Sequence, residues 1–83
     1  MKTEFEQLLL VLVSPLVTNP DDVSISSFVD VDETIVLQVL VDKSDLGRVI
    51  GKSGRIANAI RTICYASASR AGKKIKVEFD SYE

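Results

Sequence analysis

Leu46-Gly47-Arg48-Val49-Ile50-Gly51-Lys52-Ser53-Gly54-Arg55-Ile56 is the stretch on which the reading of this chain turns. Two glycines bracket a lysine and a serine, with an apolar pair before them and Arg-Ile after. Upstream, Asp42 can cap a short helix from Lys43 to Ile50, with Asp45 in its first turn to help satisfy the exposed N–H groups. Gly51 stops that helix. A second, longer helix is expected to open near Gly54, with Ile56, Ala59, Ile60 and Ile63 as its buried stripe and Gly72 as a left-handed stop. The bend between them is then cationic and poor in side chains. Two residues without Cβ let backbone approach an anion closely, and a helix opening at Gly54 turns free N–H groups and the positive end of its dipole toward the same place.

Working toward the N-terminus, Thr34 to Val41 is rich in β-branched and apolar residues and reads as a central strand. Its Ile35, Leu37, Val39 and Val41 should face the helices, with Thr34, Val36, Gln38 and Leu40 on the other side. Before it, Val23 to Val29 alternates imperfectly and suggests a short strand, joined to the central one through the acidic turn Asp30-Val31-Asp32-Glu33. Thr3-Glu4-Phe5-Glu6 has the form of a capping box. The helix it opens carries Phe5, Leu8, Leu9, Leu12 and Leu16 at three- and four-residue spacing. Pro15 should kink that helix or mark its last turn, and Asn19-Pro20-Asp21-Asp22 ends it. Toward the C-terminus, Lys74 to Asp80 alternates Ile75, Val77 and Phe79 with Lys76 and Glu78, a strand pattern. The order is α-β-β-α-α-β, an α+β domain spanning residues 1–83 without repeat or linker.

Eighty-three residues with 46% hydrophobic and 27% charged composition suit one small folded domain. The single cysteine, Cys64, excludes an intramolecular disulfide, and without histidine no zinc set is expected. Cys64 lies among Ala and Ser and reads as a packing residue. The apolar run Leu8 to Val13 is too short to span a bilayer, and the acids Glu4 and Glu6 argue against a secretory leader, so a cytoplasmic protein is expected.

The net charge of −2 hides a strong asymmetry. Residues 1 to 42 carry eight acids against Lys2 alone, whereas residues 43 to 76 carry nine bases against Asp45 alone. Phosphate binding responds to potential within roughly 8 Å in physiological salt, so the basic stretch outweighs the whole-molecule charge. For Arg70, Lys73, Lys74 and Lys76 a solvated edge is the expected role, with nucleic-acid contact secondary. Tyr65 and Tyr82 stand too isolated to be assigned a stacking role.

The apolar pair, the G-x-x-G, the Arg-Ile that follows and the element order together resemble a type II KH domain, with a three-stranded sheet and its helices packed on one face. More narrowly, the acidic N-terminal helix, the Asn-Pro-Asp turn and Arg48-Val49-Ile50-Gly51 followed by Gly54-Arg55-Ile56-Ala57 resemble the small bacterial KhpA-type proteins. The resemblance covers nearly the whole chain. It implies single-stranded RNA binding, with Gly51, Lys52, Ser53 and Gly54 clamping about four nucleotides and Arg48 and Arg55 adding charge. It also implies an apolar groove for bases, built from Leu46, Val49, Ile50 and Ile56 with the neighbouring strand. A homodimer, a second RNA-binding protein of the KhpB type as partner, and a role as an RNA chaperone affecting cell elongation and wall synthesis follow from the resemblance alone. Asn58 departs from a basic residue frequent in that family, and Tyr65, Ser67 and Ser69 from an alanine-rich stretch, which puts the RNA contacts of that helix in question.

Two other readings compete. Gly51-Lys52-Ser53 ends like a phosphate-binding P-loop, but Leu46 stands where that motif needs glycine, and the preceding segment reads as helix. With no histidine and with aspartates placed in turns and caps, no catalytic residues, metal or cofactor are expected. The second is a protein-interaction module with vestigial RNA binding, using Val36 and Leu40 on the outer sheet face or the Leu10-Val11-Val13 side of the first helix. Plain helix-turn-helix packing would also account for Gly51 and Gly54.

Overall fold

The computed structural model describes residues 3–82; Met1, Lys2 and Glu83, which the expected domain includes, lie outside the described residues. Helix α1 spans Glu4–Val13. The capping box is formed: the Thr3 hydroxyl accepts from the Glu6 N–H and the Glu6 carboxylate accepts from the Thr3 N–H, each at 3.2 Å. The same Glu6 carboxylate accepts from the Ser27 hydroxyl at 3.1 Å, so the cap also ties the helix to the first strand. Pro15 marks the last turn, inside a 3-10 turn at Ser14–Leu16. A second such turn, Pro20–Asp22, leads into strand β1, Ser24–Val29, of which only Ile25 is buried.

β1 pairs antiparallel with β2, Ile35–Val41, through a turn in which the Asp30 carboxylate accepts from the Asp32 and Thr34 N–H groups. After β2 come a 3-10 turn at Lys43–Asp45, helix α2 at Leu46–Ile50, a 3-10 turn at Lys52–Gly54 and helix α3 at Arg55–Arg70. The expected helix from Lys43 is therefore split, its first turn tightened to 3-10. Strand β3, Ile75–Ser81, then pairs parallel with β2, giving the order β1-β2-β3. Parallel pairing requires the chain to cross back over the sheet, which α2 and α3 do.

Leu37, Val39 and Val41 are wholly buried under the helices, with Phe5, Leu9, Val13, Val49, Ile60, Cys64 and Val77 in the same cluster. Three sequence expectations are corrected here. Val13, placed on an exposed side of α1, is wholly buried, while Val11 on that helix is 69% exposed. Val36, placed on the outer sheet face, is nevertheless buried, in the central strand between its register partners Phe28 and Lys76. On α3 the buried line is Ala57, Ile60, Cys64 and Ala68; Ile56 is half-buried, and Ala59 and Ile63 are exposed. Small residues let that helix lie close on the sheet, and the larger Ile63 is turned away.

The C-terminal stop of α3 is a Schellman motif. Gly72 adopts φ 69°, the Lys73 N–H donates to the Ala68 carbonyl and the Gly72 N–H to the Ser69 carbonyl. Among the described residues no helix is long and apolar enough to cross a membrane.

Candidate nucleic-acid interface

The loop between α2 and α3 is held in a conformation that most residues avoid. Gly51 has φ 76° and ψ 174°, Ser53 φ 57°, and Gly54 φ 76°. A Cβ at Gly51 would also meet Ile56 Cγ1 at 2.6 Å, so sterics and dihedrals both demand glycine there. At Gly54 the nearest atom to such a Cβ is Asn58 Nδ2 at 3.9 Å; only the dihedrals select glycine, and the space beside its backbone is open.

Lys52, Ser53 and Arg55 are exposed, and Gly51, Gly54, Ile50 and Ile56 are half-buried. The amide pattern differs from the expected one. The Gly51 N–H donates to Gly47, the Gly54 N–H to Gly51 and the Arg55 N–H to Lys52, so the Gly54 and Arg55 amides at the helix opening are taken up by the loop's own turns. Lys52 and Ser53, both exposed, form the tip of the loop. Leu46, Ile50 and Ile56 are partly accessible, but Val49 is wholly buried. Val49 therefore anchors α2 in the core and cannot line a base-binding surface.

Behind the loop, Asp45 does more than help a helix start. Its carboxylate is wholly buried and accepts from the Thr18 N–H at 3.0 Å, the Thr18 hydroxyl at 2.8 Å, the Asn19 N–H at 3.0 Å and the Asn19 amide nitrogen at 3.1 Å. It pins the turn after α1 to the start of α2. These bonds, led by the Thr18 N–H, hold the Asp45 carboxyl below the usual carboxylate range against the opposing cost of desolvation. Arg48 Nε lies 3.5 Å from the same carboxylate, while 58% of the Arg48 side chain remains exposed. The guanidinium is thereby steadied beside the loop without being withdrawn from solvent.

One face of α3 runs from the loop along the open side of β3. Asn58, Arg61 and Tyr65 follow one another at three- and four-residue spacing. Arg61 Nε donates to the Val77 carbonyl at 3.0 Å, and its terminal nitrogen donates to Asn58 Oδ1 at 3.2 Å. The Arg61 guanidinium sits 5.1 Å from the Phe79 ring centre, within cation–π range. The Val77 N–H donates to the Tyr65 hydroxyl at 3.4 Å. Sequence reasoning passed over Arg61 and left Tyr65 without a role. The spacing 58, 61, 65 marks a shared helix face, but that this face meets an open strand edge depends on the parallel placement of β3. Lys76 instead pairs with Glu78 at 3.6 Å.

A catalytic reading gains no support from the geometry. The segment before the loop is helical, unlike the strand that leads into a P-loop. Burial pushes the Cys64 thiol above its ordinary range, the opposite of what a nucleophile requires.

Comparison with known proteins identifies the family. The model of the family described as KhpA/KhpB, KH domain, matches residues 6–79. A protein of Listeria monocytogenes named RNA-binding protein KhpA is 49% identical over 88% of this chain and 95% of its own length. Proteins of the same name from Bacillus subtilis and Streptococcus pneumoniae are 44% and 40% identical, over 88% and 90% of this chain and 89% and 92% of theirs. No solved structure matches. With the family model covering residues 6–79 and relatives 40–49% identical over most of both chains, the chain belongs to the KhpA/KhpB KH-domain family.

Proposed function

We propose that this chain binds single-stranded RNA, with the Gly51–Gly54 loop gripping the sugar-phosphate backbone. One observation carries the reading: a loop held in glycine-dependent dihedrals stands among the exposed side chains of Arg48, Lys52 and Arg55. Cations gathered on one exposed, side-chain-poor bend suit a phosphate, and they read no base. Base contacts would fall to the half-buried Leu46, Ile50 and Ile56 and to Asn58 and Arg61 on the α3 face that runs along β3. The relatives' shared name, RNA-binding protein, supports the same ligand. The function is binding, without catalysis.

Cytoplasmic location, a homodimer, partnership with a KhpB-type protein and work as an RNA chaperone in cell elongation and wall synthesis belong to this reading as its finer part. The family's paired name favours the KhpB relationship. A protein-interaction role is favoured separately by Val11 and Ile63, apolar and 69% and 47% exposed. Val36, buried within the sheet, drops out of such a surface.

The test is a salt-titrated binding measurement with single-stranded RNA on the wild type and on the Lys52→Asp/Ser53→Asp variant. The reading expects salt-sensitive binding that the double substitution abolishes while the thermal midpoint stays nearly fixed. Equal affinity of the two proteins would overturn it, and a stable dimer that ignores RNA would favour the interaction role.

A further inference from the structure

At the far end of α3 from the glycine loop lies an open cavity of 410 Å³ whose walls include Thr34, Tyr65, Ser69, Lys73, Lys74 and Ile75. Tyr65 follows Gly54 by eleven residues along α3, which at 1.5 Å each puts loop and cavity roughly 16 Å apart. We infer that this cavity is a second nucleotide site on the same RNA strand, where a base stacks on the Tyr65 ring and its phosphate meets Lys73 and Lys74. The inference rests on the RNA reading above and extends it beyond the stretch that the loop itself clamps.

Four observations carry it. Tyr65 is 40% exposed, and its hydroxyl is fixed on the Val77 N–H, so the ring is oriented before any ligand arrives. Lys73 and Lys74 are exposed and form no ion pair among the described residues. Among the described residues no acid lines the cavity; the adjoining one, which shares both lysines, is lined by Asp32 and Glu33, so an anion is directed to the Tyr65 side. Finally, Asn58, Arg61, Tyr65 and Ser69 occupy one face of α3 and join the two sites along the edge of β3. An aromatic ring with neighbouring cations, reached by a polar track from a phosphate grip, has the chemistry of a stacking platform for single strands.

The experiment compares oligoadenylate of about four nucleotides, enough for the loop, with oligoadenylate of about ten, enough to reach the cavity. Tyr65→Leu should leave the affinity for the short oligomer unchanged and weaken the long one about tenfold, the usual scale of one base–aromatic stack. Comparing variant with wild type on each oligomer cancels the larger number of registers open to the longer strand. Tyr65→Phe, which keeps the ring, should retain the affinity for the long oligomer. Lys73→Gln/Lys74→Gln should weaken only the long one and lower its salt slope by about 0.7 per lost phosphate contact. Equal affinities of Tyr65→Leu and wild type for the long oligomer would overturn the inference, as would equal weakening on both lengths. Loss in Tyr65→Phe as severe as in Tyr65→Leu would overturn stacking. If wild type bound neither oligomer, the RNA reading itself would fall.

Discussion

A methyl group on Gly51 would stand 2.6 Å from Cγ1 of Ile56, so the first glycine of the loop and the isoleucine after it are packed to the limit of contact. Ile56 is β-branched and stiff, and it cannot swing away cheaply. Gly51→Ala should therefore cost about 3 kcal/mol from overpacking and a backbone region closed to alanine. Gly54→Ala, with open space around it, should cost only about 1 kcal/mol. Denaturant midpoints of the two variants check the difference, and a similar loss in both would contradict the packing.

Asp45 links acidity to stability. Hydrogen bonds from Thr18 and Asn19 lower its folded-state pKa, so its contribution is complete above the unfolded value of about 3.9 and disappears as pH falls through the folded one. Thermal melts of the wild type should lose stability on acidification below about pH 4. In Asp45→Asn, one acceptor oxygen becomes a donor facing other donors; the midpoint at neutral pH should drop by about 10 °C and depend less on acid. A melt profile of the variant that parallels the wild type through this window would count against the carboxylate clamp.

Salt dependence separates a phosphate contact from a base contact. If Lys52 neutralises one phosphate of a single strand, Lys52→Gln should lower the slope of log affinity against log salt by about 0.7. Base preference should be unchanged, because a phosphate carries no sequence. A loss of discrimination among homopolymers, with the slope intact, would place Lys52 on a base instead.

Cys64 should be inert in the folded protein. It is wholly buried, and burial raises its thiol pKa, so little thiolate exists at neutral pH and none of it is accessible. A disulfide reagent should label it only as fast as the chain opens, and the rate should climb with denaturant. Prompt labelling in native buffer would contradict this packing.

Much of this molecule was legible in its residues because the relevant signals are local. Thr3 and Glu6 lie three apart in sequence and in the capping box, Gly51 and Gly54 announce the bend, and the alternation of β2 identifies Leu37, Val39 and Val41 as core. What was hidden depends on partners distant along the chain. Asp45 looked like a helix-start residue because Thr18 and Asn19, which it holds, are more than twenty positions away. Val49 and Ile50 are equally apolar neighbours, and only the orientation of α2 decides that the first is core and the second reaches the surface. On α3, hydrophobicity favoured Ile56 and Ile63, whereas close approach to the sheet favoured the smaller Ala57, Cys64 and Ala68. Tyr65 gained a role only when β3 arrived beside it.

The bonds that Arg61 and Tyr65 make to Val77 have a consequence for the molecule in a crowded solution. A bare strand margin invites a neighbour's strand to add to it, and repetition of that step builds fibres. Here the middle of the margin is already stoppered from within, on both its donor and its acceptor, by side chains rooted in a helix. A would-be intruder must first evict them, so β3 can end the sheet without a proline or a bulge to guard it.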